Sequence, residues 1–188
     1  KYYSEIILDE SIVTDDIRVN IFNNITSDLA SIYEIEIFGK VNEEEKDPRL
    51  ISVGKPVSAT NSDNGTKPDY ITDGSTTGSF WDGGPASKEK PQSFTIDLEN
   101  GYFIDTFKVY PYVDGIRYYE YYIETSLDGI NWNKVAERTA DDGLAYMGET
   151  FELERPVSAR FVRVVMTYNS KVIVEPANKS VHMREFEV

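Results

Sequence analysis

The sequence contains no cysteine, a single histidine (His182) and no apolar run approaching the length of a membrane span. Each absence removes a class of function. Without thiols there is no disulfide framework, thiolate metal site or cysteine nucleophile. One histidine leaves little for a Ser–His–Asp arrangement, and no stretch reads as a signal peptide. Cationic residues are scarce as well: 19 Lys and Arg face 33 Asp and Glu, a formal net charge of −14 at pH 7. A field of that sign repels phosphate backbones and anionic bilayers, so neither nucleic acid nor a membrane is an expected partner. Neutral ligands and cations remain. Acids this numerous make close carboxylate pairs common, but no spacing singles one out for glycoside hydrolysis. The first residue is Lys1 rather than Met, as in a piece cut from a longer protein.

What is present is 40% hydrophobic and 13% aromatic residue content over 188 positions, enough for one sizeable core. Helical periodicity is rare. Short β-rich segments punctuated by Gly, Pro, Asn and Asp dominate. Phe94-Thr95-Ile96-Asp97-Leu98 alternates apolar with polar, and Tyr119, Tyr121 and Ile123 share one strand face. Phe151 and Leu153 alternate with glutamates. Phe161 to Met166 is nearly continuous apolar sequence apart from Arg163, as in a strand covered on both faces. Segment spacing and turn signals predict an all-β sandwich or jelly roll. In "SLDGINW" (126–132), Asp128-Gly129 supplies the positive φ of a tight hairpin turn, and Trp132 is expected to open the returning strand and pack across Tyr121–Ile123.

The sequence also repeats itself. Ser4–Ile21 aligns with Glu149–Met166 without a gap: Ile6 meets Phe151, Leu8 meets Leu153, Ile12 meets Val157, and Arg18-Val19 meets Arg163-Val164. Glu34–Ile37 then matches Glu185–Val188. This is the pattern of a domain's last three strands occurring twice. Residues 1–40 are therefore expected to be the closing strands of a preceding similar copy, with a charged linker at 41–49 and one complete domain at 50–188. The tandem neighbours would be domains of the same chain.

Seven segments carry a resemblance: "GKPVSAT" (54–60), "ITDGSTTGSFW" (71–81), "FTIDL" (94–98), "FKVYP" (107–111), "YYIETSLDGINW" (121–132), "ARFVRVVM" (159–166) and "REFEV" (184–188). In this order the chain resembles the discoidin, or coagulation-factor type C, family, in particular its bacterial carbohydrate-binding-module branch. The resemblance implies an eight-stranded antiparallel β-sandwich jelly roll of the galactose-binding-domain kind. It implies a non-catalytic module attached to a glycoside hydrolase or other secreted enzyme, secreted or at the cell surface, and bacterial. It also implies a structural Ca2+ held by the Asp73 and Glu185 carboxylates, the carbonyls of Tyr70 and Ser75, and a hydroxyl near Ser79. Calcium takes six to eight oxygens, which carbonyls and one or two carboxylates supply.

A sugar presents an apolar C–H face and a ring of hydroxyls, so its binder needs an aromatic platform with a few fixed polar groups. The segment "YPYVDGIRYYEYY" (110–122) concentrates both. Tyr112, Asp114, Arg117 and Tyr118 are the expected sugar-binding residues there, joined by Tyr146 from "DDGLAYMG" (141–148 region), Trp81, and Asn64 from the first loop. Plainer alternatives stand beside these: Trp81 as core and Arg117 in a surface ion pair, while His182 is expected to be a loop or strand residue rather than a ligand. The expected partners are glycans ending in galactose or an N-acetylhexosamine. The loop "VDGIR" has one Arg and no Asn, where many galactose-binding relatives carry an Arg followed by an Asn. That departure keeps a second reading open, a structural or protein-interaction domain of the same family with no functional sugar site.

Overall fold

The computed structural model describes residues 50–173 and 179–188, with residues 6–8, 17–21, 32 and 35–37 of the N-terminal stretch. The chain divides into two compact units, Lys1–Pro48 and Arg49–Val188. The repeat expected over residues 1–40 and the linker at 41–49 lie for the most part outside the described residues.

The second unit is all antiparallel β. Its strands are β1 (Val57–Ala59), β2 (Trp81–Pro85), β3 (Gln92–Pro111), β4 (Tyr119–Ser126), β5 (Asn133–Arg138), β6 (Glu149–Asn169) and β7 (Ser180–Glu187). They are hydrogen-bonded in the order β2-β7-β3-β6-β4-β5, with β1 added against β3. Eight strands were expected, and the described residues form seven. The difference lies in β3 and β6, which run on through their bends. Their mutual pairing shifts register between Asp97 and Tyr102 and again between Ile104 and Thr106. At the first shift Glu99 adopts φ +69° and its amide is held by the Asp97 carboxylate at 2.8 Å. Such bulges bend and twist a strand without ending it, so one strand serves both halves of the fold.

The alternation read in the sequence becomes the core. Phe94, Ile96 and Leu98 of β3, Tyr119, Tyr121 and Ile123 of β4, and Val162, Val164 and Met166 of β6 are all buried. Ring contacts cross between the halves: Trp81 meets Phe94 at 5.5 Å, Phe94 meets Phe186 at 5.8 Å, and Tyr121 meets Phe151 at 6.2 Å. Truncating any one of these rings to Ala costs about 3–5 kcal/mol, through lost transfer energy and the cavity left behind.

The turn after β4 is wider than a two-residue hairpin. Gly129 has the expected positive φ (+72°), but β4 ends at Ser126 and β5 begins at Asn133. The Asp128 carboxylate organises the loop, accepting from the amides of Ile130 and Asn131 at 2.8 Å each. Those hydrogen bonds hold its pKa far below the ordinary carboxylate value. Trp132 lies just before β5, and the Arg163 guanidinium of β6 covers its ring 4.0 Å from the centroid.

Candidate functional site

Two groups of side chains stand out, and β7 contributes to both. On its outward face are His182 and Arg184; inward, from the same four-residue stretch, are Met183 and Glu185.

The outward group is a rim of rings and guanidinium groups. Tyr112 begins the loop after β3, and Phe80 sits immediately before β2. Their ring centroids are 5.2 Å apart, and His182 lies 5.3 Å from Phe80 and 5.8 Å from Tyr112. Arg117 closes the same loop. Its Nε and Nη2 both donate to Asp114 Oδ2 at 2.9 Å, and its guanidinium carbon is 5.0 Å from the Tyr112 centroid. Gly115, at φ +79°, provides the turn that folds Asp114 back onto Arg117. Asp114 also accepts from the amides of Ile116 and Arg117 at 3.1 Å. Burial pushes its carboxyl up, but the Arg117 hydrogen bond and the Ile116 amide outweigh it and leave the pKa below normal.

Deeper in, a polar chain runs from the first loop to this one. Asn64 donates to Asp82 Oδ2 at 2.8 Å, Asp82 lies 3.8 Å from His182 Nε2, His182 Nδ1 is 3.2 Å from the Tyr119 hydroxyl, and Arg117 donates to that hydroxyl at 3.3 Å. With Arg117 donating to it, the Tyr119 hydroxyl donates onward to Nδ1. This network assigns the ring proton to Nε2, toward Asp82. Burial lowers the His182 pKa, Asp82 opposes the shift and Arg117 adds to it, so the ring is neutral at pH 7.

The expected sugar residues divide accordingly. Tyr112, Asp114 and Arg117 come together, and Asn64 joins them through Asp82. Tyr146 is 58% exposed on the loop between β5 and β6. That loop is pinned by a buried network: Arg138 donates to Glu149 at 2.7 Å and to the carbonyls of Gly143 and Leu144 at 2.9 Å, and the Ala145 amide donates to the Arg117 carbonyl at 2.9 Å. Tyr118 does not point into the rim; its ring pairs with Tyr168 at 5.8 Å. Trp81 must be withdrawn as a sugar platform. It is 0% exposed, and a Cβ on Gly83 would come within 2.5 Å of its ring. Its indole N–H donates to the Asn61 carbonyl at 2.9 Å, so it anchors the first loop from beneath. His182, read from the sequence as a loop or strand residue, stands in the rim, and Arg184 and Asp82 were missed. The available signal was the two-residue spacing of His182 and Arg184 in "HMREFE", which places both on one strand face.

The inward group centres on Glu185. It is fully buried, and its Oε1 is a buried side-chain oxygen with no hydrogen-bond partner. Oε2 accepts the Gly74 amide at 3.2 Å. Burial first, and then the Asp73 charge, raise its pKa to about 8. Of the expected metal ligands, Glu185 gathers with Asp73 and Ser75, whose amide donates to Asp73 at 2.8 Å. Tyr70 lies in the 3-10 turn Pro68–Thr72 just before them, and Ser79 is exposed near the far end of the loop. Among the described residues no three Asp, Glu, His or Cys side chains cluster to hold a metal. A hard cation here would rely on two carboxylates and backbone carbonyls. The unpartnered Glu185 oxygen beside a second acid suits such a donor set.

Comparison with known proteins accords with this geometry. The F5/8 type C domain profile matches residues 56–182, well over half of the chain. Among curated proteins, BTB/POZ domain-containing protein 9 of Bos taurus is 32% identical over 95 residues, 50% of this chain, and that of Homo sapiens is 28% identical over 118 residues, 62% of this chain. The matched regions are only 14% and 18% of those proteins. Among solved structures, the CBM32 of AlyQ in complex with 4,5-unsaturated mannuronic acid has a TM-score of 0.58 at 22% identity, covering 70% of this chain and 92% of that one. A pectin-binding carbohydrate-binding module has a TM-score of 0.56 at 21% identity, covering 70% and 86%. The family 32 module of NanJ from C. perfringens in complex with galactose has a TM-score of 0.56 at 18% identity, covering 71% and 91%. These likenesses establish a shared fold. The chain belongs to the F5/8 type C, or discoidin, domain family, a family of non-catalytic binding modules.

Proposed function

We propose that this domain binds glycans through the rim formed by Tyr112, Phe80, His182, Arg117 and Asp114, as part of a larger secreted or cell-surface protein. The observation that carries the reading is the convergence of three rings with a fixed guanidinium–carboxylate pair. Rings stack on the C–H face of a pyranose, and Asp114, Asp82 and Asn64 supply acceptors and donors for hydroxyls. Structures of the same fold hold galactose or unsaturated mannuronic acid, and another is described as pectin-binding, which supports a sugar as ligand. A single shallow site of this kind binds with a Kd on the order of micromolar to millimolar. The test is a glycan array followed by calorimetry. Tyr112→Ala should weaken every glycan that binds, by about tenfold or more, with the fold intact.

One observation favours the second reading, a protein-interaction or structural domain. Arg117 is only 7% exposed, with its fork already held by Asp114. If a folded domain retains no glycan on the array, that reading takes over.

The structural Ca2+ belongs to the same proposal. Glu185 and Asp73 would hold it with backbone carbonyls of the 73–79 loop, and the ion would neutralise a buried acid pair and brace the loop that leads to Phe80. For residues 1–40 the proposal is the closing strands of a preceding copy. In the complete unit the counterparts of Ile17, Val19 and Ile21 are Val162, Val164 and Met166, all 0% exposed, whereas the three N-terminal residues are 58%, 53% and 47% exposed. Apolar positions of this kind call for covering strands. Tandem modules would raise weak affinity through effective concentration.

A further inference from the structure

Arg184 is the unusual cation of this fold. Arg117, Arg138, Arg160 and Arg163 each hold a carboxylate within hydrogen-bonding distance, at 2.9, 2.7, 2.8 and 2.6 Å. Arg155 is exposed to solvent. Arg184 is half-buried and has no carboxylate partner among the described residues. It donates through Nη1 to the Gly78 carbonyl, and its guanidinium carbon lies 5.2 Å from the Tyr112 centroid and 5.9 Å from that of Phe80. In a chain with 33 acidic and 19 basic residues, a partly buried guanidinium without an acid stands apart.

Two guanidinium groups flank one ring of the rim. Tyr112 has Arg117 at 5.0 Å and Arg184 at 5.2 Å from the same ring. Asp114 is engaged by Arg117 at 2.9 Å, and Asp82 lies 3.8 Å from His182. Neutral His182 adds no charge but offers a polar edge between the rings. Arg184 is thus the guanidinium of the rim whose charge no acid among the described residues faces. A neutral sugar makes no use of that charge. A carboxylate does: Arg presents a planar fork that matches two carboxylate oxygens, and π faces leave its N–H edges free to donate. A pyranose bearing a carboxylate offers both the anion and the C–H face for Tyr112 and Phe80.

We propose that the glycan bound at this rim is acidic, a hexuronate whose carboxylate is taken by Arg184 while its ring rests on Tyr112 and Phe80. This rests on the glycan-binding reading and narrows its ligand class. It also replaces the terminal galactose or N-acetylhexosamine expected from the family resemblance.

The experiment measures short oligogalacturonate and oligomannuronate, their methyl-esterified forms, and neutral and sulfated oligosaccharides by calorimetry at constant calcium. The wild type should prefer the free acids over the esters by about tenfold or more, and the preference should shrink as salt rises. Arg184→Gln keeps a donor for the Gly78 carbonyl but removes the charge. It should abolish the preference for free acid in a domain that melts at the wild-type temperature. Arg184→Lys should restore part of the preference, since it keeps charge without the fork. Equal binding of acid and ester, or an Arg184→Gln variant that binds uronate like wild type, overturns the inference and leaves glycan binding standing. Tighter binding of sulfated oligosaccharides than of uronates also overturns it. A folded domain that binds none of these ligands removes both the inference and the reading beneath it.

Discussion

Arg184 and Glu185 are adjacent on β7 and face opposite ways, and each lacks a counter-charge among the described residues. They respond differently because their acid–base chemistry differs. Glu185, fully buried beside Asp73, can hold a proton, and its pKa rises to about 8. A guanidinium does not deprotonate in a protein. Arg184 therefore keeps its charge, spreads over two rings and leaves part of its hydrogen-bonding fork unspent. An unpaired buried acid neutralises itself until a cation arrives. An unpaired guanidinium stays charged and favours an anion. Strand alternation lets four residues, His182 to Glu185, face both situations at once.

The comparison can be broken at its inner side first. Calcium should stabilise the wild type by about 2.7 kcal/mol at a free concentration one hundred times Kd. Glu185→Gln and Asp73→Asn should each remove most of that increment, read as a calcium-dependent shift in melting temperature. An equal shift in all three proteins places the ion elsewhere. At the outer side, Tyr112→Ala should lose about 1.4 kcal/mol or more of glycan affinity, tenfold in Kd, with an unchanged calcium response. Loss of both responses together would mean that the two faces are one cooperative site.

A smaller effect concerns His182. Its folded pKa lies below the unfolded value of 6.5. The unfolded chain therefore binds more protons than the native one between those two values. Stability from this group is present above pH 6.5 and falls as pH drops through the window, by at most about 1.4 kcal/mol per pH unit. Chemical denaturation against pH should show this slope, and His182→Gln should flatten it. The smallest effect is expected from the N-terminal stretch. Limited proteolysis within residues 41–49 should leave a 50–188 fragment whose melting temperature and glycan affinity match those of the full chain. A clear drop in either would show that the first unit supports the second.

Much of the fold was legible in advance because period-two patterning is a local signal. Phe94–Leu98, Tyr119–Ile123 and Phe161–Met166 alternate or run apolar, and each lies in a strand with the anticipated residues buried, Phe161 excepted. The strand count was less legible. A chain can bend at a bulge such as Asp97–Tyr102 without ending its ladder, and turn-like residues there look the same as a break. Of the rim, Tyr112, Asp114 and Arg117 were readable because a Gly-containing turn brings them together within six residues. His182 and Arg184 were not, since their partners Phe80, Asp82, Tyr112 and Tyr119 lie about sixty residues or more away, at or beside β2, β3 and β4. Trp81 illustrates the converse, since an aromatic beside a loop has the same sequence signature on either side of the sheet.

The sequence by itself determined an all-β domain, its main hydrophobic faces, the absence of thiol chemistry and an acidic surface, because composition and alternation act residue by residue. Only the tertiary structure decided that Trp81 faces inward, that Glu185 is buried beside Asp73, and that Arg184 lies over Tyr112 with no acid beside it among the described residues. Those outcomes depend on which strands become neighbours, and pairing between segments far apart in sequence is set by the packing of the whole sandwich.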